Sequence, residues 1–124
     1  MKVFLAITAT LAWIFGIALL LAPAKFYAPM GLVLTPMLAT IAQAHGATLF
    51  GLGVINWRAR SAEGRGLAAV LGGNLVVQVL SLLVVIRAMM LGAGAAVAPA
   101  ILTHVVLGGL FLFFLLRFRR SVNG

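Results

Sequence analysis

The stretch Ile55-Asn56-Trp57-Arg58-Ala59-Arg60-Ser61-Ala62-Glu63-Gly64-Arg65-Gly66-Leu67 decides how this chain is organised. Three arginines and the only acidic residue of the protein lie here between two long apolar runs. Working outward, Lys2 precedes a first apolar run, and Arg117, Arg119 and Arg120 follow a fourth. Only Lys25 and Arg87 fall elsewhere, so the nine basic residues divide as seven and two. If each run crosses a bilayer once, the seven share a side, which the excess of Lys and Arg in cytoplasmic loops makes the inner one. The expected fold is all-α: a bundle of four transmembrane helices with both termini cytoplasmic.

Composition leads to the same class. The chain of 124 residues is 65% hydrophobic and 8% charged, with a mean hydropathy of +1.25. A soluble domain carries roughly 25% charged residues, so this one lacks the polar groups to cover a globular surface. Four spans of about 20 residues nearly use up the chain, which leaves a single integral membrane domain and no soluble one. A net charge of +8 would suit nucleic acid, but no aromatic-interleaved basic patch accompanies it. The cations flank the apolar runs, where they set orientation and meet anionic headgroups. The expected partners are therefore membrane lipids and other membrane subunits or a second copy, with no nucleic acid. Without cysteine, disulfides, thiolate metal sites and cysteine nucleophiles are excluded.

The spans are expected at about 3–22, 37–57, 67–91 and 99–116. The first resembles a signal peptide in its Met-Lys start and its Ala22-Pro23-Ala24 end, but its apolar run exceeds the usual length of about 7–15 residues. It is read as a retained helix. Residues 23–36 hold three prolines and a glycine, which break helix, while Phe26, Tyr27 and Met30 suit an interfacial loop. Trp57 is read as an interfacial anchor, and Pro99 suits the first turn of the fourth helix. Small residues let membrane helices approach closely. Ala47 and Gly51 form one such stripe on span two, and Gly46, Phe50 and Gly53 another. Gly72 and Gly73 on span three, and Gly108 and Gly109 on span four, are expected to pack helices in the same way.

Few polar residues remain inside the spans. Glu63 sits in the basic loop, so no carboxylate is available within the membrane for proton coupling, cation coordination or acid–base catalysis. Two histidines without a carboxylate or thiolate make a poor zinc site. No catalytic constellation is present, which points away from an enzyme. Asn74, Gln78 and Ser81 follow i, i+4, i+7 and share one stripe. A hairpin turn near residue 62 brings His45 to the depth of Gln78, so a hydrogen bond between the two is expected as interhelical glue. A turn near residue 95 likewise pairs Arg87 with His104. That pair either leaves Arg87 to reach the headgroups or holds an anionic headgroup, a quinone oxygen or a haem propionate. His45 and His104 also lie within about 3 Å of one depth, a placement that would let two imidazoles clamp a haem.

The segment Gly46-Ala47-Thr48-Leu49-Phe50-Gly51-Leu52-Gly53-Val54-Ile55-Asn56-Trp57-Arg58-Ala59-Arg60, after a loop with Phe26, Pro29 and Gly31, resembles the small four-helix bacterial membrane proteins of the DoxX-like families. The resemblance implies a bacterial inner membrane and four spans. Some relatives are quinone-linked oxidoreductase subunits, which would imply a redox role, and many have no assigned activity. The residues point first to a small non-enzymatic accessory or scaffold subunit. A quinone-, haem- or lipid-binding redox component using His45, Gln78, Arg87 and His104 is the alternative, and an independent transporter comes third.

Overall fold

A computed structural model describes residues 1–123. Helix is the only regular secondary structure among them: α1 (Lys2–Leu21), a short α2 (Pro23–Tyr27), α3 (Pro36–Ala59), α4 (Gly64–Ala88) and α5 (Ala98–Asn123). A chain this apolar has few side chains to satisfy exposed backbone, and helix pairs every N–H and C=O within one segment. Three helical stretches are long and apolar enough to cross a membrane: Lys2–Leu21, Pro36–Ala59 and Gly64–Ser121, the last with a turn inside it. The chain divides into two compact units, Met1–Ser61 and Ala62–Gly124. In the first α1 packs on α3, and in the second α4 packs on α5.

The first hairpin closes on small residues. The buried side of α1 carries Leu5, Ala9, Ala12, Gly16 and Leu19, and that of α3 carries Ala42, Gly46, Gly53 and Asn56. Steps of four and three keep each seam turned to its partner along the whole contact. A Cβ built on Gly16 would lie 2.9 Å from Gly46 O and Phe50 N, and one on Gly46 would lie 2.8 Å from Gly16 O. The two backbones touch, and any side chain there would separate them. At Gly53 the Trp13 indole fills the hollow, with Cδ1 2.5 Å from where a Cβ would stand. Gln43 Nε2 donates to Leu20 O at 3.1 Å, satisfying a carbonyl that the end of α1 leaves open.

Several expected boundaries shift for identifiable reasons. Residues 23–36 are not irregular throughout, because Pro23 starts α2 at a position where its missing N–H costs nothing. A 3₁₀ turn over Ala28–Met30 then ends on Gly31, whose φ of 72° falls where glycine is favoured. The Thr35 hydroxyl caps α3 by accepting from Leu38 N at 3.3 Å. In the second hairpin α4 stops at Ala88, and the chain reverses through Gly92 at φ 103°. Beyond 116, α5 continues through its arginines, which are good helix formers.

Of the residues expected to pack helices, Gly53 and Gly108 lie against a neighbour, while Gly51, Gly72, Gly73 and Gly109 have nothing within 4 Å of a would-be Cβ. Ala47 is exposed. The seven-residue step from Gly46 to Gly53 stays on the seam, whereas Ala47 and Gly51 lie about 100° further round per residue of offset. Gly46→Leu is therefore expected to destabilise the protein by about 1–3 kcal/mol or more, as overpacking does. Gly51→Leu should unfold within about 0.5 kcal/mol of wild type. Thermal unfolding of both variants in detergent, followed by circular dichroism, checks the contrast.

Candidate functional site

The seam of α4 begins with Leu67 and Leu71 and turns polar at Asn74 and Gln78, both buried. Facing them from α5 is His104, half-buried. Its Nδ1 lies 2.7 Å from Gln78 Oε1. An amide oxygen only accepts, so Nδ1 donates, and in the neutral ring Nε2 then carries the lone pair. One turn along α5, a Cβ on Gly108 would stand 3.4 Å from Gln78 Cβ, so the glycine lets α5 approach the amide. Asn74 Nδ2 donates to Val70 O at 2.9 Å, within its own helix. The His104–Gln78 bond sets a register in which Phe111 is level with Leu71 and Leu115 with Leu67. All four are buried, making an apolar layer between the polar centre and the helix ends. Gln78 stands about 21 Å along α4 from Gly64 at 1.5 Å per residue, midway along the hairpin.

The partners differ from those the sequence suggests. Gln78 was expected to meet His45, and His104 to meet Arg87; instead Gln78 and His104 bond to each other. The cause is the turn. The bonded pair centres on residue 91, where the glycine bend sits, rather than on 95. Each level on α5 moves accordingly, and Arg87 lies beside the turn, exposed. His45 is exposed on α3, in the other unit. Ser81 is half-buried one turn beyond Gln78.

A second cluster, which sequence reasoning did not assemble, lies near the end of α3. The Trp13 ring is 5.4 Å from that of Trp57 and 6.4 Å from that of Phe50. Trp13 Nε1 is buried without a hydrogen-bond partner. Arg60 Cζ lies 3.3 Å from the Trp57 ring centroid, and Arg60 Nε donates to Trp57 O at 2.8 Å. The i, i+3 spacing of Trp57 and Arg60 at a helix end carries the signal for this stack. The reading of Trp57 as an anchor alone passed over it.

The polar centre can present an imidazole of fixed tautomer. An Nε2 lone pair accepts a hydrogen bond or ligates a metal. Among the described residues no group of three or more His, Cys, Asp or Glu could hold a metal ion. Comparison with protein-family models, with curated proteins and with solved structures finds no match.

Replacing Gln78 by Leu removes the acceptor from His104 and is expected to cost about 0.6–2 kcal/mol, the range of hydrogen bonds between membrane helices. The same variant should release the imidazole from its tautomer. Thermal unfolding in detergent checks the first expectation, and nitrogen NMR of the labelled His104 ring checks the second, with wild type showing Nδ1 protonated.

Proposed function

We propose that the protein is a small non-enzymatic subunit of a bacterial inner membrane that crosses the bilayer four times and packs against other membrane proteins and lipids. The outward faces of its helices are the observation that carries this reading. Ile7, Ile14 and Ile17 on α1, Val76, Leu80 and Leu83 on α4, and Leu102, Val106 and Phe113 on α5 are all exposed. Soluble proteins rarely expose contiguous apolar patches beyond a few hundred Å², and lipid or a membrane partner covers such faces at no cost. The hydroxyls agree: Thr8, Thr10, Thr40, Thr48, Thr103 and Ser121 each donate to a carbonyl one turn back, as a medium without water favours.

Helix length supports four crossings. α1, α3, α4 and α5 have 20, 24, 25 and 26 residues, each enough for a hydrocarbon core of about 30 Å. Charge supports an inner location for both termini. Within each hairpin the open end carries the cations, Lys2 with Arg58 and Arg60 in one, and Arg65 with Arg117, Arg119 and Arg120 in the other. The segment 46–60, which resembles the DoxX-like proteins, forms the second half and the C-cap, Arg60, of α3. Its outward side is lined by Thr40, Ala44, Ala47 and Gly51, all exposed and small enough for another helix to approach.

Assembly and orientation test the proposal separately. Gly51→Leu, which should not alter folding, is expected to abolish comigration with a larger complex on a native gel. Unchanged migration of a wild type that runs alone would remove the subunit reading. A reporter fused after the last arginines should be active on the cytoplasmic side, and activity confined to the periplasm would reverse the orientation.

The Gln78–His104 bond favours a second reading, a membrane redox component. An imidazole with Nδ1 donating and Nε2 bearing the lone pair is the form that a haem iron or a quinol hydroxyl requires. Haem binding would give the purified protein a Soret band that His104→Gln removes. A colourless protein that also fails to bind quinone leaves the subunit reading in place.

A further inference from the structure

We propose that Arg60, held over the Trp57 ring, is a binding site for the phosphodiester of an anionic membrane lipid at the open end of the first hairpin. The site rests on the reading of α1 and α3 as membrane spans, which puts this end at a bilayer surface. The geometry begins with two restraints on one guanidinium. Its Cζ lies over the indole, 3.3 Å from the ring centroid, and its Nε–H is tied to Trp57 O at 2.8 Å. An arginine side chain loses rotamer freedom on being fixed, and here the fold has already restrained it. With Nε engaged, the end-on edge of the guanidinium remains, two Nη groups whose N–H bonds match two oxygens of one phosphate.

The platform is itself supported. Gly53 lacks a side chain, so Trp13 seats over α3 at that point, and Trp13 in turn lies against Trp57 with rings 5.4 Å apart and inclined at 43°. The series Gly53, Trp13, Trp57, Arg60 thus converts a hollow in the helix seam into a fixed cation at the helix end. An indole at the headgroup level, with an apolar body and a polar edge, is a common interfacial arrangement.

Charge indicates the sign of the ligand. Gly16 meets Gly46 and Gln43 meets Leu20, a register that brings Lys2 level with Arg60 and within about 3 Å of Arg58 along the axis. Residues 1–61 contain no Asp or Glu, and Glu63 in the loop that follows is a single carboxylate against Lys2, Arg58 and Arg60, so this end keeps a net positive charge. The neighbourhood indicates a lipid. Val3 and Ile55 are exposed beside the cationic end, at 73% and 52%, and offer apolar surface where acyl chains descend from a headgroup. Inorganic phosphate shares the anion chemistry and lacks the chains.

The test uses the full-length protein in neutral detergent, with phosphatidylglycerol, phosphatidylcholine and inorganic phosphate as probes, and binding read by native mass spectrometry. Phosphatidylglycerol is expected to bind saturably and more tightly than the other two. Arg60→Lys keeps the charge but loses the fork and the stack, so it should weaken that binding about tenfold, the scale of a lost charge-assisted hydrogen bond. Trp57→Leu, which frees the guanidinium, should weaken it in the same direction. Arg119→Lys, outside this unit, should stay within about twofold of wild type. Equal melting temperatures for wild type and Arg60→Lys keep a folding defect from imitating the result.

Equal affinity of wild type and Arg60→Lys for phosphatidylglycerol would overturn the site. Inorganic phosphate binding as tightly, with the same dependence on Arg60, would overturn the lipid assignment. Failure of the membrane reading shows separately. The protein lacks cysteine, so a Ser61→Cys variant in cells carries one thiol for an impermeant label, and its labelling pattern reports the side and depth of this end independently of any lipid.

Discussion

The contact of Gly16 with Gly46 is the constraint from which the first hairpin follows. Lipid tails are as apolar as leucine, so two membrane helices gain little from hydrophobic burial and associate through close packing. Close packing needs backbones that touch, and these two glycines sit where a Cβ on either would come within 3 Å of the opposite main chain. The rest of the unit is arranged around that point. Ala9, Ala12 and Ala42 keep the seam narrow, Gln43 secures the turn end, and the Trp13 indole takes the space left at Gly53.

The second hairpin solves the same problem with polarity. Its seam has leucine and phenylalanine toward the open end and an amide–imidazole bond at mid-length. Such a bond contributes modestly in membranes, averaging about 0.6 kcal/mol, but it fixes register, because sliding one helix would leave both groups without their partner. A structural role and a ligand-holding role are compatible at His104. The amide that anchors the ring also orients it, as second-layer groups orient metal-bound histidines.

Much of the architecture is legible in the residues. Apolar runs, prolines and the placement of nine cations mark four long helices, and in the structure Pro23 and Pro36 each stand at the first turn of a helix. What escaped the sequence is which face of each helix is the seam. Small residues are plentiful on α3, and Ala47 with Gly51 looks as good a contact as Gly46 with Gly53. Only the position of Gly16 on the other helix selects between them. The site suffered from the turn. Placing the reversal at 95 instead of 91 moves every level on α5 by about two helical turns relative to α4, enough to pair Arg87 with His104 and to hide the level that Gln78 shares with His104. Gly92, at φ 103°, marks the true bend, but the run Gly92–Ala98 offers two glycines and no sequence rule chooses between them. The Trp57–Arg60 stack was missed because a terminal arginine reads first as a topology signal.

Each hairpin turns polar groups inward, Asn56 in the first and Asn74 and Gln78 in the second, and leaves large apolar side chains exposed outward. Backbone hydrogen exchange in lipid nanodiscs tests this most directly. The account predicts four slowly exchanging stretches, about 5–20, 38–56, 67–87 and 100–116, separated by three segments that exchange fast near 30, 62 and 93. Fast exchange through any one of the four, at rates matching those separating segments, would contradict it.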